Sequence, residues 1–176
     1  MSLKEAVLND FKIRRTFLLP LGILLVLSLM LWVTVLFQGQ PKIKLMVLGI
    51  MILPISALFL ESFFRRIHFD EDAITVFKLL RKKSLKFSKL TEVESLRVKK
   101  RVFLTLSTEE DFIIMSNAYA DFPLLVNSIL SYAPDQIVTD DTRQMAADPP
   151  NKSSDILSCW FAAILMAIIL GLQFTR

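Results

Sequence analysis

Apolar residues in this chain gather into three long runs, while the polar and charged residues fill the stretch between the second and the third. Phe17 to Phe37 contains no charged residue over 21 positions. At ~1.5 Å per helical residue that run is long enough to cross a ~30 Å hydrocarbon core. Lys12, Arg14 and Arg15 precede it, as they would a secretory signal. The run exceeds the usual ~7–15-residue signal core, however, and Gln38-Gly39-Gln40-Pro41 offers no small-x-small cleavage pattern. It is read as an anchor. A second run extends from Leu45 to Leu60, or from Ile43 to Phe64 if Lys44 and Glu61 snorkel. It contains Pro54, which a membrane helix tolerates as a kink. A buried soluble helix is the competing reading, but the short polar connection from the first run favours a transmembrane hairpin. The third run, Ile156 to Phe174, repeats small residues every four positions at Cys159, Ala163, Ala167 and Gly171. That stripe is either a helix-packing face or a chance feature of an Ala-containing helix. Trp32 and Trp160 lie toward the ends of their runs, as interface aromatics do.

Orientation follows from Lys and Arg. Lys4, Lys12, Arg14 and Arg15 precede the first run, only Lys42 and Lys44 lie between the first two, and Arg65 and Arg66 follow the second. The positive-inside rule then predicts a cytoplasmic N-terminus and central domain, with the hairpin loop and Arg176 outside.

The central pattern is shorter in period. Arg66 to Phe69 reads as a strand leading into the acidic turn Asp70-Glu71-Asp72. Ala73 to Leu80 alternates partly, with Arg81-Lys82-Lys83 as the next turn, and Ser84 to Ser88 alternates cleanly. Leu90 to Val98 fits either a strand or a short helix followed by a strand. Val102 to Ser107 and Phe112 to Ser116 form a hairpin around Thr108-Glu109-Glu110-Asp111. Asp121 is placed to cap a helix whose face carries Phe122, Leu125, Val126, Ile129, Leu130 and Ala133, ending at Pro134. The expectation is six short strands and one closing amphipathic helix. Residues 135 to 155 are acidic, polar and interrupted by Pro149-Pro150, which predicts a flexible tether back to the membrane, with an ordered belt packed against a partner as the other reading. The predicted organisation is thus 1–16, a cytoplasmic segment; 17–64, a transmembrane hairpin; 65–134, a β-rich domain; 135–155, the tether; and 156–174, a C-terminal span.

Composition sharpens this picture. Of 176 residues, 53% are hydrophobic and 22% are charged, so the two classes must be segregated along the chain. One Cys and one His exclude a disulfide framework and the usual structural zinc cage, and four Gly leave little for a glycine-rich phosphate cradle. The net charge of +4 conceals two opposed halves. Arg65 to Arg101 holds twelve Lys/Arg against five Asp/Glu, and Val102 to Asp155 holds two against nine.

Two membrane helices followed by strands and one closing helix resemble the bacterial membrane proteins that carry a pleckstrin-homology-like domain. The matching stretches are Ile67 to Val76, Leu85 to Val93, Phe103 to Leu106 and Phe112 to Met115, within about residues 63 to 134. The family usually has Gly in the first turn and between later strands; acidic and basic residues stand there in this chain. The resemblance implies a small β-barrel or sandwich with a C-terminal helix, acting as a binding module, in a bacterial inner membrane.

The sharpest candidate chemistry is basic: Lys78, Arg81, Lys82, Lys83, Lys86 and Lys89, with Arg97, Lys99, Lys100 and Arg101 from a second turn. Hairpin pairing would crowd both groups on one side. A solvated face, a surface for anionic lipid at ~1 kcal/mol per cation, and a site for an acidic protein all fit that pattern. No aromatic interleaving accompanies the charges, which argues against nucleic acid. His68 reads as structural, Asp70-Glu71-Asp72 and Glu109-Glu110-Asp111 as turns, and Cys159 as a small intramembrane residue. No nucleophile with a partnered base is identifiable, and no cofactor or metal is implied. The expected function is a non-enzymatic accessory, scaffold or assembly subunit contacting lipids and other integral membrane subunits. An anionic-lipid sensor is the alternative, and a small transporter or channel component the next. The uncharged centres of the runs supply no ion path.

Overall fold

The computed structural model describes residues 10–70, 72–99, 101–147 and 154–174. These fall into two units, residues 10–14 with 64–147 and residues 15–63 with 154–174.

The second unit consists of helices α1 (Arg15–Phe37), α2 (Lys42–Phe64, whose last residue belongs to the first unit) and α5 (Ser154–Phe174). All three are long and apolar enough to cross a membrane. The chain is therefore a membrane protein with two helices before its polar domain and one after it. Helix α1 packs most extensively on α5. The sheltered positions along α1 include Phe17, Leu21, Leu24, Ser28, Leu31 and Val35, and those along α5 include Ile156, Cys159, Ala163, Met166 and Leu170. Both sets step by alternating threes and fours, the seam spacing of a left-handed coiled coil. Leu31, Val35 and Leu170 form a common cluster with Leu27, Leu45, Leu48 and Met166 around it. Gln38 beyond the end of α1 donates from Nε2 to the carbonyl of Gln173 near the end of α5 at 3.2 Å, so the two helices run parallel.

Helix α2 returns antiparallel to α1. The Trp32 indole N–H donates to the Leu45 carbonyl at 3.1 Å, which makes Trp32 a clasp between helices rather than an outward anchor. Farther along, a Cβ on Gly22 would stand 3.2 Å from the Phe59 ring, so Gly22 leaves room for that side chain. Only Ile52 of α2 is buried. Polar side chains within these helices are satisfied locally. Ser28 donates to the Leu24 carbonyl at 2.7 Å and Thr34 to that of Met30 at 2.8 Å.

The first unit holds two antiparallel sheets. One has the order β1 (Phe11–Lys12), β2 (Arg66–Phe69), β3 (Ala73–Phe77), β4 (Lys82–Lys86); the other has β5 (Glu92–Val98), β6 (Arg101–Ser107), β7 (Phe112–Ser116). Six strands lie close to their predicted positions. The stretch with two readings, Leu90 to Val98, resolves as strand β5, because Val93 must face inward opposite Leu106. Inward positions alternate as a half-buried sheet requires: Ile67, Phe69, Ile74, Val76, Leu85, Val93, Val102, Leu104, Leu106, Ile113 and Met115 are all buried. Helix α3 (Phe122–Tyr132) covers this core with Phe122, Leu125, Val126 and Ile129. Asp121 precedes α3 but does not cap it through its side chain. Its backbone is left-handed (φ 51°), and only its carbonyl accepts, from Leu125 N–H at 3.0 Å.

The seventh strand, β1, comes from the segment ahead of α1. Phe11 pairs with Ile67 and Lys12 with Arg66. Beyond it, Ile13 bridges Tyr119, Arg14 N–H donates to Ala118 O at 3.1 Å, and Ala120 N–H donates to Lys12 O at 2.8 Å. Residues 11–14 thereby join the first sheet to the chain that leaves β7. The Phe11 ring meets Phe69 edge-on at 5.6 Å; Phe69 stacks on Phe87, and Phe87 on Tyr132 of α3.

The predicted tether is also structured over part of its length. Val138 bridges Val93 in parallel, Thr139 N–H donates to Val93 O at 3.2 Å, and helix α4 (Asp140–Ala147) buries Thr142 and Met145. Three sheltered residues suffice because they cover the outer edge of β5, whose backbone would otherwise be unpaired. Residues 148–153, with Pro149-Pro150, lie outside the described residues. Because β1 adds a buried aromatic and closes one side of the core, Phe11→Ala is expected to destabilise the domain by about 3 kcal/mol. Hydrogen exchange across Arg66–Phe69 in the detergent-solubilised chain measures this as faster opening.

Candidate functional site

The central feature of the β-rich unit is an open cleft of about 360 Å³ between the β3–β4 hairpin and β7. Its basic wall is Arg65, Lys78, Arg81, Lys82 and Lys83; its apolar side includes Phe103, Phe112 and Ile114. The hairpin places these cations because β3 ends at Phe77, earlier than alternation predicts. The turn then falls on Lys78–Arg81, and Lys82 and Lys83 begin β4. Five positive side chains on one wall are kept apart only by solvent and by local partners, so the site favours an anionic ligand.

Two of the cations are held. Arg65 Nε donates to the Tyr119 hydroxyl at 2.9 Å, and its guanidinium lies 5.7 Å from that ring's centroid. Tyr119 is fully buried, so it fixes Arg65 on the cleft wall. Lys83 is bridged by Asp111 and lies 4.7 Å above the centroid of the Phe112 ring. Hydrogen bonding from Lys83 lowers the Asp111 carboxyl below its ordinary pKa, aided by the Phe112 N–H and opposed by partial desolvation. Asp111 is itself set by the β6–β7 turn, where Thr108 N–H donates to its carbonyl at 2.7 Å.

The basic residues expected to form one surface are divided by the structure. Lys78, Arg81, Lys82 and Lys83 share the cleft. Lys86 stands at the far end of β4, opposite Ala73. Lys89 lines a separate shallow depression with Thr108, Glu109 and Glu110. Arg97 and Arg101 flank the β5–β6 turn, where Val98 pairs with Arg101 and Lys99 adopts a left-handed backbone (φ 56°). Lys100 lies outside the described residues. Sequence reasoning did not select Arg65, Phe103 or Phe112 for the site. Arg65 was visible only as an orientation signal, and the two phenylalanines read as ordinary strand positions.

The outer face of β5–β7 continues from the cleft. Leu96 is 58% exposed and Val98 49%; across the sheet Phe103 is half-buried and Ile114 is 44% exposed. The pairings Leu96–Phe103 and Thr105–Ile114 put them on one face. A solvated sheet face ordinarily carries polar residues; this one is apolar along its middle, with Glu92 and Glu94 at one end of β5.

His68 links two carboxylates. Its Nδ1 is 2.7 Å from Asp10 and its Nε2 is 3.5 Å from Asp70. The acids occupy opposite ring nitrogens, so the three groups do not converge on a point. No group of three or more His, Cys, Asp or Glu among the described residues is arranged to hold a metal ion. Asp70 and Asp72 do serve a turn, through Asp70 N–H to Ala73 O at 2.8 Å and Phe87 N–H to Asp72 O at 2.9 Å; Glu71 lies outside the described residues.

In α5 the small-residue stripe is only half used within the chain. Ala163 is buried and Cys159 half-buried, but Ala167 and Gly171 are exposed, and a Cβ on Gly171 would meet nothing within 4 Å. A four-residue period drifts by ~40° per step from a 3.6-residue helix, whereas alternating threes and fours stay on the seam.

Comparison with known protein families, characterised proteins and solved structures finds no match to this chain.

Two outcomes follow from this geometry. Ala163→Leu is expected to overpack the α1–α5 seam and cost about 1–3 kcal/mol. Ala167→Leu should change stability by less than ~0.5 kcal/mol; unfolding titrations in mixed micelles compare the two. Asp111→Asn should slightly destabilise the β6–β7 turn at neutral pH. A carboxyl with a lowered folded-state pKa stabilises above its ordinary value and loses that contribution as pH falls through the lowered one. The difference between Asp111→Asn and the parent chain should therefore vanish in strongly acidic solution, read by exchange of the 108–112 amides.

Proposed function

We propose that this chain is a non-enzymatic accessory or scaffold subunit of a membrane protein complex in a bacterial inner membrane. It acts through a cytoplasmic pleckstrin-homology-like interaction domain. The observation that carries this reading is the apolar outer face of β5–β7, Leu96, Val98, Phe103 and Ile114, opening onto the basic cleft. Contiguous apolar surface on a solvated sheet, rimmed by charge, is what a protein partner covers. The partner is an integral membrane subunit presenting an apolar segment with an acidic flank, which complements Phe103 and Ile114 on one side and Arg65 of the cleft wall on the other. Two sheets of four and three strands followed by helix α3 support the pleckstrin-like reading. The cytoplasmic orientation draws its support from the Lys and Arg that flank α1 and α2.

The cleft supports a second reading, an anionic-lipid sensor in which a headgroup phosphate sits against Arg65, Lys78 and Arg81. Such a headgroup would leave the Leu96–Val98 end of the sheet open, so the two readings are compatible.

Affinity purification of the tagged full-length chain in mild detergent tests the leading one. A stoichiometric integral membrane partner is expected. The double substitution Phe103→Asp, Ile114→Asp should weaken its retention by about tenfold or more while the chain remains monodisperse. A parent chain that purifies alone and monomeric overturns the proposal.

A further inference from the structure

The turn between β3 and β4 is built against ordinary turn chemistry. Lys78 N–H donates to the Arg81 carbonyl at 2.8 Å, which puts Leu79 and Leu80 at the two corners. Corners favour Gly, Asn, Asp, Pro or Ser, which fit the backbone or hydrogen-bond to it. Here Leu80 is 94% exposed and Leu79 38% exposed. Neither leucine lines the cleft, although Lys78, Arg81, Lys82 and Lys83 do. No acidic residue occurs between Ala73 and Thr91, so the hairpin itself supplies only cations beside its apolar tip; the acid that bridges Lys83, Asp111, comes from the β6–β7 turn.

A scattered exposed leucine needs no explanation. Two adjacent ones at the corners of a tight turn, with four cations beside them, have the composition of an interfacial anchor. Leucines enter the acyl boundary while Lys and Arg stay at the phosphates. The rest of the chain supplies the surface. Helix α1 begins three residues after β1 ends, and Arg65 alone separates α2 from β2. A domain joined this closely to two membrane-length helices remains at high effective concentration beside a bilayer. A protein partner is the weaker fit, because a protruding tip needs a complementary pocket in a protein but none in a fluid lipid phase.

We propose that the β3–β4 apex inserts Leu79 and Leu80 into the interfacial layer of an anionic bilayer, with Lys78, Arg81 and Lys82 at the headgroups. This goes beyond the subunit role above and beyond a headgroup in the cleft. It requires neither a partner nor occupancy of that cleft, and it makes the domain a second point of membrane attachment.

The test uses the full chain in nanodiscs. In a Cys159→Ser background, an environment-sensitive fluorophore is attached at Leu80→Cys or, as a control on the other hairpin, at Glu109→Cys. In discs of phosphatidylglycerol with a nitroxide lipid, the fluorophore at position 80 should be blue-shifted and quenched from the lipid, while that at position 109 remains open to aqueous iodide. Unlabelled chain supplies a second readout. Amides of residues 79–82 should exchange about tenfold more slowly in phosphatidylglycerol than in phosphatidylcholine discs, and Leu79→Ser with Leu80→Ser should abolish the difference. Equal iodide access at both positions, with exchange indifferent to lipid charge, overturns the proposal. A blue shift without lipid quenching also overturns it and assigns the apex to a protein contact. Co-purification of a partner is unaffected by either result, so the subunit reading stands or falls separately.

Discussion

The pairing of β1 with β2 is the constraint on which the architecture depends. The two strands are adjacent in the sheet, Phe11 against Ile67, yet 53 residues of chain lie between Lys12 and Arg66. That intervening chain is the apolar hairpin. An antiparallel pair can form across it only if the chain enters and leaves the hydrocarbon on the same side, so the strand pair and the two-helix crossing require each other. Tyr119 reinforces the closure. Its carbonyl accepts from Arg14 Nε at 3.1 Å and its hydroxyl from Arg65 Nε at 2.9 Å. The arginine before the first span and the arginine after the second thus converge on one buried residue. Two arginines that flank the membrane-length helices are structural members of the domain.

The same closure explains what could be read from the residues in order. Strands β2, β4, β6 and β7 and helix α3 announce themselves because each alternates or repeats over four or more positions, whereas β3 alternates only in part and the pattern of β5 fits two readings. Strand β1 has two residues, too few for a period, and its partner lies beyond a membrane helix. Its assignment to a cytoplasmic tail was the natural inference from sequence distance. Residues 135–147 were hidden for a different reason. Their polarity resembles a linker, and the three positions that matter, Val138, Thr142 and Met145, gain their meaning only from the β5 edge they cover.

The cleft was half legible. Lys78 to Lys83 stand out as a basic run, but a run does not say which cations share a surface. Ending β3 at Phe77 moves the turn forward by about three residues, which turns Lys82 and Lys83 from loop into strand and puts leucines at the corners. Arg65, Phe103 and Phe112 are distant in sequence and come together only through the pairing of β6 with β7 and the grip of Tyr119. In the membrane the reverse happened. The conspicuous stripe at Cys159, Ala163, Ala167 and Gly171 has a period that leaves the packing seam, while the less conspicuous alternation through Ile156, Met166 and Leu170 follows it. The outward half, Ala167 and Gly171, is where another helix could approach closely.

Charge is unevenly distributed around the β5–β7 sheet. One edge of the β5–β7 sheet, at β7, faces the cations of the β3–β4 hairpin. The other edge, at β5, carries Glu92 and Glu94 and is covered by the acidic helix α4, with Asp140 and Asp141 in its first turn. The apolar strip between them is rimmed by both signs, with Arg97 and Arg101 at the β5–β6 turn. Apolar contact alone is indifferent to direction, so a flat strip of leucine, valine and phenylalanine would accept a segment in several orientations. A fixed arrangement of cations and carboxylates around the strip makes the two orientations of an incoming segment unequal, so electrostatics would select where burial does not. Both signs also meet locally: Asp111, from the β6–β7 turn, bridges Lys83 where it lies over the Phe112 ring.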